Sequence, residues 1–139
     1  DGVVEIEIPD KGKNIDLSLA LRIQNMNDRW SAVLFDVSHS RLRPIAISDD
    51  NIGYMCINPK TEGIFHIVVG HPVTADNKDL FINFTQLDDQ PNRYYVSVHN
   101  PTDKDIQAHI KQEMELPDFK FGEMDVTIPA GGEKVLLEK

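Results

Sequence analysis

Alternation of apolar and polar residues, interrupted at short intervals by turn formers, runs through this chain from end to end. No other feature constrains its fold as much. Successive side chains of a strand point to opposite faces, so a period of two gives one buried face and one wet face; a helix instead needs apolar residues three and four apart. The alternation predicts strands over 3–8 (VVEIEI), 15–23, 31–37, 43–47, 53–57 and 63–69, and then over 80–87, 93–99, 105–114, 124–128 and 134–138. DIQAHIKQEMEL has fair helix propensity, but Ile106, Ala108 and Ile110 alternate, and it reads as strand. Between these runs lie PDKGKN, NMND, SDDN, NPKTEG, TADNKD, DDQPN, NPTDKD and PAGGE, all rich in residues that form turns.

Many short strands at such spacing imply an all-β fold, an antiparallel β-sandwich of jelly-roll-like type with about ten strands. No repeat, low-complexity tract or linker divides the chain, so 1–139 reads as a single β-sandwich domain. The longest expected loop is 115–123, ELPDFKFGE, with Phe119 and Phe121 tucking back onto the core. In RYYVSVHNPTDKDIQAHI, Tyr94, Val96 and Val98 point one way and Tyr95, Ser97 and His99 the other. Asn100-Pro101 then opens a turn, so HNPTD is first a corner of the fold.

The 139 residues are 40% hydrophobic and 27% charged, as in a globular domain, and no apolar run is long enough to cross a bilayer as a helix. A formal net charge of −9 argues against nucleic acid and anionic membranes as partners. Arg22, Arg29, Arg41 and Arg43 nevertheless fall in one window. Cys56 is the only cysteine, so no internal disulfide forms; within GYMCIN it reads as an inert buried thiol. A start at Asp1 suggests a processed protein or a domain cut from a longer one.

The hairpin YYVSVHNPTDKDIQAHI, followed by VTIPAGGEKVLLEK, resembles the closing portion of β-sandwich accessory modules. These are appended to secreted bacterial polysaccharide lyases and glycoside hydrolases, and many are carbohydrate-binding modules. The resemblance covers about the last 50 residues and lies in the order strand, corner, strand, IPAGG turn, strand. It implies a secreted or cell-surface bacterial protein, covalently linked to a catalytic domain and targeting it to a neutral or acidic polysaccharide. Sandwiches of the same style also serve as structural modules that pack on a neighbouring domain or subunit without ligand.

No nucleophile elbow, H-E-x-x-H or Gly-rich phosphate loop is present, and the chain reads as non-catalytic. His66 and His71 flank IVVG and would form a metal pair only if the strand bends at Gly70-His71-Pro72. The acidic pairs Asp49-Asp50, Asp88-Asp89 and Glu113/Glu115 read as solvated turn formers rather than a glycosidase pair. Calcium takes oxygen ligands from loops, which makes Asp49, Asp50, Asp76 and Asp79 candidates for a structural calcium site.

Sugar binding needs an aromatic platform with polar groups around it. Trp30, the only tryptophan, sits among polar residues at a strand mouth and is expected to be partly exposed as the stacking residue. Asn27, Asp28 and Arg29 would bond hydroxyls beside it, with Arg43 and Tyr95 in support. Arg29, Arg41 and Arg43 together would favour an acidic glycan, or else simply balance Asp28 and Asp36. Asn83–Thr85 matches a glycosylation pattern by chance within a strand. Burial of Trp30 would favour the structural module over the binding one.

Overall fold

A computed structural model describes residues 2–9, 18–87 and 93–138. Over the described residues the chain is nearly all β, with twelve strands in antiparallel sheets, consistent with a β-sandwich. The strands are β1 (Val3–Glu7), β2 (Leu19–Ile23), β3 (Ala32–Asp36), β4 (Arg41–Ile47), β5 (Gly53–Ile57) and β6 (His66–Gly70). There follow β7 (Val73–Ala75), β8 (Phe81–Gln86), β9 (Tyr94–His99), β10 (Ile106–Gln112), β11 (Glu123–Ile128) and β12 (Glu133–Glu138). Each strand expected from alternation is present within a few residues at its ends, and the segment with helical propensity is β10. Expected features at 10–17 and 88–92, including the PDKGKN turn and Asp88-Asp89, lie outside the described residues. Three short elements were not anticipated. They are β7, a 3-10 turn at Val37–His39, and α1 (Pro59–Glu62), a single turn with Pro at its start, Asn58 accepting from the Thr61 N–H, and Gly63 ending it at φ 67°.

The chain folds as two compact units, Asp1–Asp28 with Ala32–Gly70, and Arg29–Ser31 with His71–Lys139. The first holds a six-stranded sheet in the order β1-β6-β3-β4-β5-β2. Register puts Leu34, Val69, Ile67, Ile45 and Ile57 on one face, where they join Ile8, Met26, Ala32 and Ile64 in one core. Each buried Val, Leu, Ile or Met side chain contributes about 1.5–3 kcal/mol. Gly70 is required because any side chain there would strike the Gly2 carbonyl oxygen. Alternation also corrects the expectation for Cys56, which is exposed: it points away from the core between inward-facing Met55 and Ile57.

The second unit holds two three-stranded sheets, β11-β10-β7 and β12-β9-β8. Hairpins β8–β9 and β10–β11 each stay within their own sheet, and the chain changes sheet between β7 and β8, between β9 and β10, and between β11 and β12. Ile82, Phe84, Tyr94, Val96, Val98, Ala108, Ile110 and Ile128 are buried. Phe119 does tuck back, 3% exposed, against Phe84 and Tyr94 at ring-centroid distances of 5.2 and 5.0 Å. Gln112 anchors that loop, donating to the Met114 and Phe119 carbonyls and accepting from the Phe121 N–H.

The HNPTD corner is held by Asn100, which is wholly buried. Its amide nitrogen donates to the Lys104 and Ile128 carbonyls at 2.7 and 3.0 Å. Its amide oxygen accepts from the Thr102 N–H and hydroxyl at 3.0 and 2.7 Å. All four hydrogen-bonding positions are used to shape the turn and tie it to β11.

Candidate functional site

The site begins with a short parallel pairing. Residues 29–31 run alongside β8, with the Ser31 N–H donating to the Ile82 carbonyl and the Ile82 N–H to the Arg29 carbonyl, both at 2.9 Å. Alternation along this added segment places Trp30 and Arg29 on opposite sides. Trp30 is therefore buried, 8% exposed, contrary to expectation. Its indole N–H donates to the Leu80 carbonyl at 3.0 Å and its ring meets His71 edge-on at 5.7 Å. Burial holds the His71 imidazole below its ordinary pKa of 6.5.

Arg29 lies over the Phe81 ring, its guanidinium carbon 5.2 Å from the centroid. It also donates to the Asp79 carbonyl at 3.0 Å, which fixes the guanidinium in place. Phe81 opposes His99 across β8 and β9, ring centroids 6.2 Å apart, and remains 42% exposed. His99 Nδ1 lies 3.0 Å from the Gly132 carbonyl oxygen. A carbonyl only accepts, so Nδ1 carries the proton and the neutral ring offers Nε2 as an acceptor.

Two more rows continue this outer face. Asn83, Ser97 and Val135 oppose one another, then Thr85, Tyr95 and Glu138. The Phe81 and Tyr95 rows are about 13 Å apart along the strands. Val135 is 52% exposed and Tyr95 half-buried, while Ser97 is buried in the middle. The face thus combines the exposed Phe81 ring and the half-buried Tyr95 ring with amide, hydroxyl, imidazole and guanidinium groups. It can stack on an apolar ring face while bonding hydroxyls at its edges.

Of the residues expected at a glycan site, this face carries Arg29 and Tyr95, and Trp30 underlies the same unit as core. Asn27, Asp28 and Arg43 belong to the first unit, where Arg43 Nη1 pairs with Glu62 at 2.8 Å. Arg41 lies 3.8 Å from Asp36, one part of the balancing set expected, while Arg43 and Arg29 pair instead with Glu62 and Asp79. Phe81 and His99 complete the platform. Their signal was available in the sequence: Ile82 and Phe84 supply the core parity of β8, which leaves Phe81, Asn83 and Thr85 outside.

The four aspartates considered for calcium are divided between the units, Asp49 and Asp50 in the first, Asp76 and Asp79 in the second. Asp50 accepts from the Ser48 hydroxyl, which keeps its carboxyl below the ordinary range, and Asp76 accepts from the His109 N–H at 2.9 Å. Asp79 lies 3.9 Å from the Arg29 guanidinium. No group of three or more His, Cys, Asp or Glu suited to a metal ion occurs among the described residues. His66 and His71 fall in different units, His66 bonding Glu5 and His71 lying 3.1 Å from the Ser31 carbonyl oxygen.

The outer face of β10–β11 carries a separate feature, a concavity of about 490 Å3 lined by Asp76, Gln107, His109, Asp125 and Thr127. His109 bonds Asp125 at 2.8 Å and Glu123 at 3.3 Å. The hydrogen bond to Asp125 is the main cause of its raised pKa, with Glu123 adding to it. The lining has no Phe, Tyr or Trp ring.

Among known proteins, no family model, no curated protein and no solved structure matches this chain.

Proposed function

We propose that this chain is a carbohydrate-binding module, with its platform on the outer face of β8, β9 and β12. The observation that carries this reading is the exposed Phe81 ring held between the Arg29 guanidinium and the His99 imidazole. Phe81 would meet the C–H face of a sugar, and Arg29, Asn83, Thr85, Tyr95 and His99 would bond its hydroxyl or carboxylate groups. The module would hold a covalently linked polysaccharide-degrading domain of a secreted bacterial enzyme near its substrate, which raises effective concentration without altering the chemistry.

The experiment is affinity electrophoresis on a panel of neutral and acidic polysaccharides. Wild type, Phe81→Ala and Arg29→Ala are compared, each with and without chelator. Retardation by one glycan, lost in Phe81→Ala while the fold is retained, is expected. Loss on Arg29→Ala confined to acidic glycans identifies a carboxylate partner, and chelator sensitivity adds calcium. A structural module is the second reading, favoured by the buried Trp30 and by Val135 exposed beside Phe81. Absence of retardation across the panel by well-folded wild type decides for it.

A further inference from the structure

In the first unit the last residue of β3, Asp36, has no solvent exposure, yet its Oδ1 has no hydrogen-bond partner. A buried carboxylate kept only for structure normally has both oxygens satisfied, because an orphaned one carries its full desolvation cost. The other oxygen, Oδ2, lies 2.8 Å from His39 Nδ1 and 3.8 Å from Arg41 Nη2. A carboxylate only accepts, so Nδ1 carries the proton, and the lone pair of the neutral ring is at Nε2.

The backbone supports this placement. His39 ends the 3-10 turn Val37–His39, and Ser40 follows in the left-handed region at φ 51°, an uncommon conformation for a residue with a side chain. The His39 ring also packs on Gly63. A Cβ there would come within 3.3 Å of Cε1 and 3.4 Å of Nε2, so a side chain would oblige the ring to shift by a few tenths of an ångström. The His39 side chain is 47% exposed while Asp36 is sealed. A histidine oriented by a buried carboxylate, with its side chain half exposed, has the geometry of a general base.

We propose that His39 and Asp36 form a proton-transfer dyad that hydrolyses acyl esters, the class that includes O-acylated sugars. This activity lies beyond the glycan platform and uses none of its residues. His39 Nε2 takes a proton from water as the water oxygen bonds to the acyl carbon and the carbonyl π pair moves onto the carbonyl oxygen. That pair then re-forms the carbonyl as the ester C–O bond breaks and its electron pair leaves on the alcohol oxygen. The resulting imidazolium, stabilised by Asp36, returns its proton to the leaving alkoxide or to solvent. Asp36 is a positioning residue and touches no substrate.

The test uses the full chain with p-nitrophenyl acetate, compared with free imidazole at the concentration of its five histidines. Hydrolysis at least about tenfold above that reference is expected from an oriented base. His39→Gln, at a half-exposed position, loses the excess, whereas His66→Gln retains it. Nitrogen-15 NMR reads the positioning role, with His39 protonated at Nδ1 when neutral in wild type and shifted from that tautomer in Asp36→Asn. If Asp36→Asn does not fold, the wild-type spectrum and His39→Gln still decide. Hydrolysis no faster than free imidazole, an excess that survives His39→Gln, or His39 protonated at Nε2 in neutral wild type would each overturn the proposal.

Discussion

Asn100 is the residue on which the most local structure depends. It has no exposed surface and uses both ends of its amide to close the corner between β9 and β10. Asn100→Ala leaves the Lys104 and Ile128 carbonyls and the Thr102 N–H without this partner. The expected loss is about 2–4 kcal/mol, summed from bonds whose individual net worth is near 1 kcal/mol and from the cost of orphaned groups. Chemical denaturation measures it, and a loss below about 0.5 kcal/mol would mean that water replaces the amide. The turn was legible in the sequence because Asn before Pro has a local mechanism for bending the chain. Its bond to Ile128, 28 residues away, was not, because only folding brings β11 beside the corner.

At the scale of the element, His109 connects the two strands of a hairpin. It stands on β10 opposite Asp125 of β11 and reaches Glu123 one row away, while Lys111 on the same face pairs with Glu113. Its pKa in the fold is raised above 6.5, chiefly by the bond to Asp125. The resulting stabilisation is therefore fully present below pH 6.5 and is lost as pH rises through the folded value. Buried His71 has the opposite sign, since its lowered pKa costs stability as pH falls below 6.5. The measurement is accordingly a difference between wild type and Asp125→Asn across pH 5 to 9, about the ordinary histidine value. The variant is expected to lose stability relative to wild type at the acid end and to converge with it at the alkaline end. A gap independent of pH would assign the contact to hydrogen bonding alone.

For the whole molecule, 23 acidic against 14 basic side chains leave a net charge of −9, which works against the compact state through self-repulsion. The thermal midpoint is expected to rise by a few degrees as added sodium chloride shortens the screening length from about 30 Å at 0.01 M to about 8 Å at 0.15 M. A fall would mean that local pairs such as Arg43–Glu62 outweigh the repulsion. The two units have their own cores, built on Leu34 and Ile67 in one and on Tyr94, Val96 and Ile110 in the other.

The sequence by itself determined that this is an antiparallel all-β chain, where most strands and turns lie, and which side of each strand is apolar. Alternation and turn chemistry act over a few residues and can be read directly. Tertiary structure alone decided which segments pair, and pairing determines exposure. Trp30 reads as an open ring among polar neighbours until residues 29–31 add to β8, 50 residues on, and alternation turns it inward and Arg29 outward onto Phe81. Asp36 likewise looks like any acid at a strand end until Ile67 and Arg41 pair on either side of it. Both depend on contacts between residues far apart in the chain, and no local pattern encodes that distance.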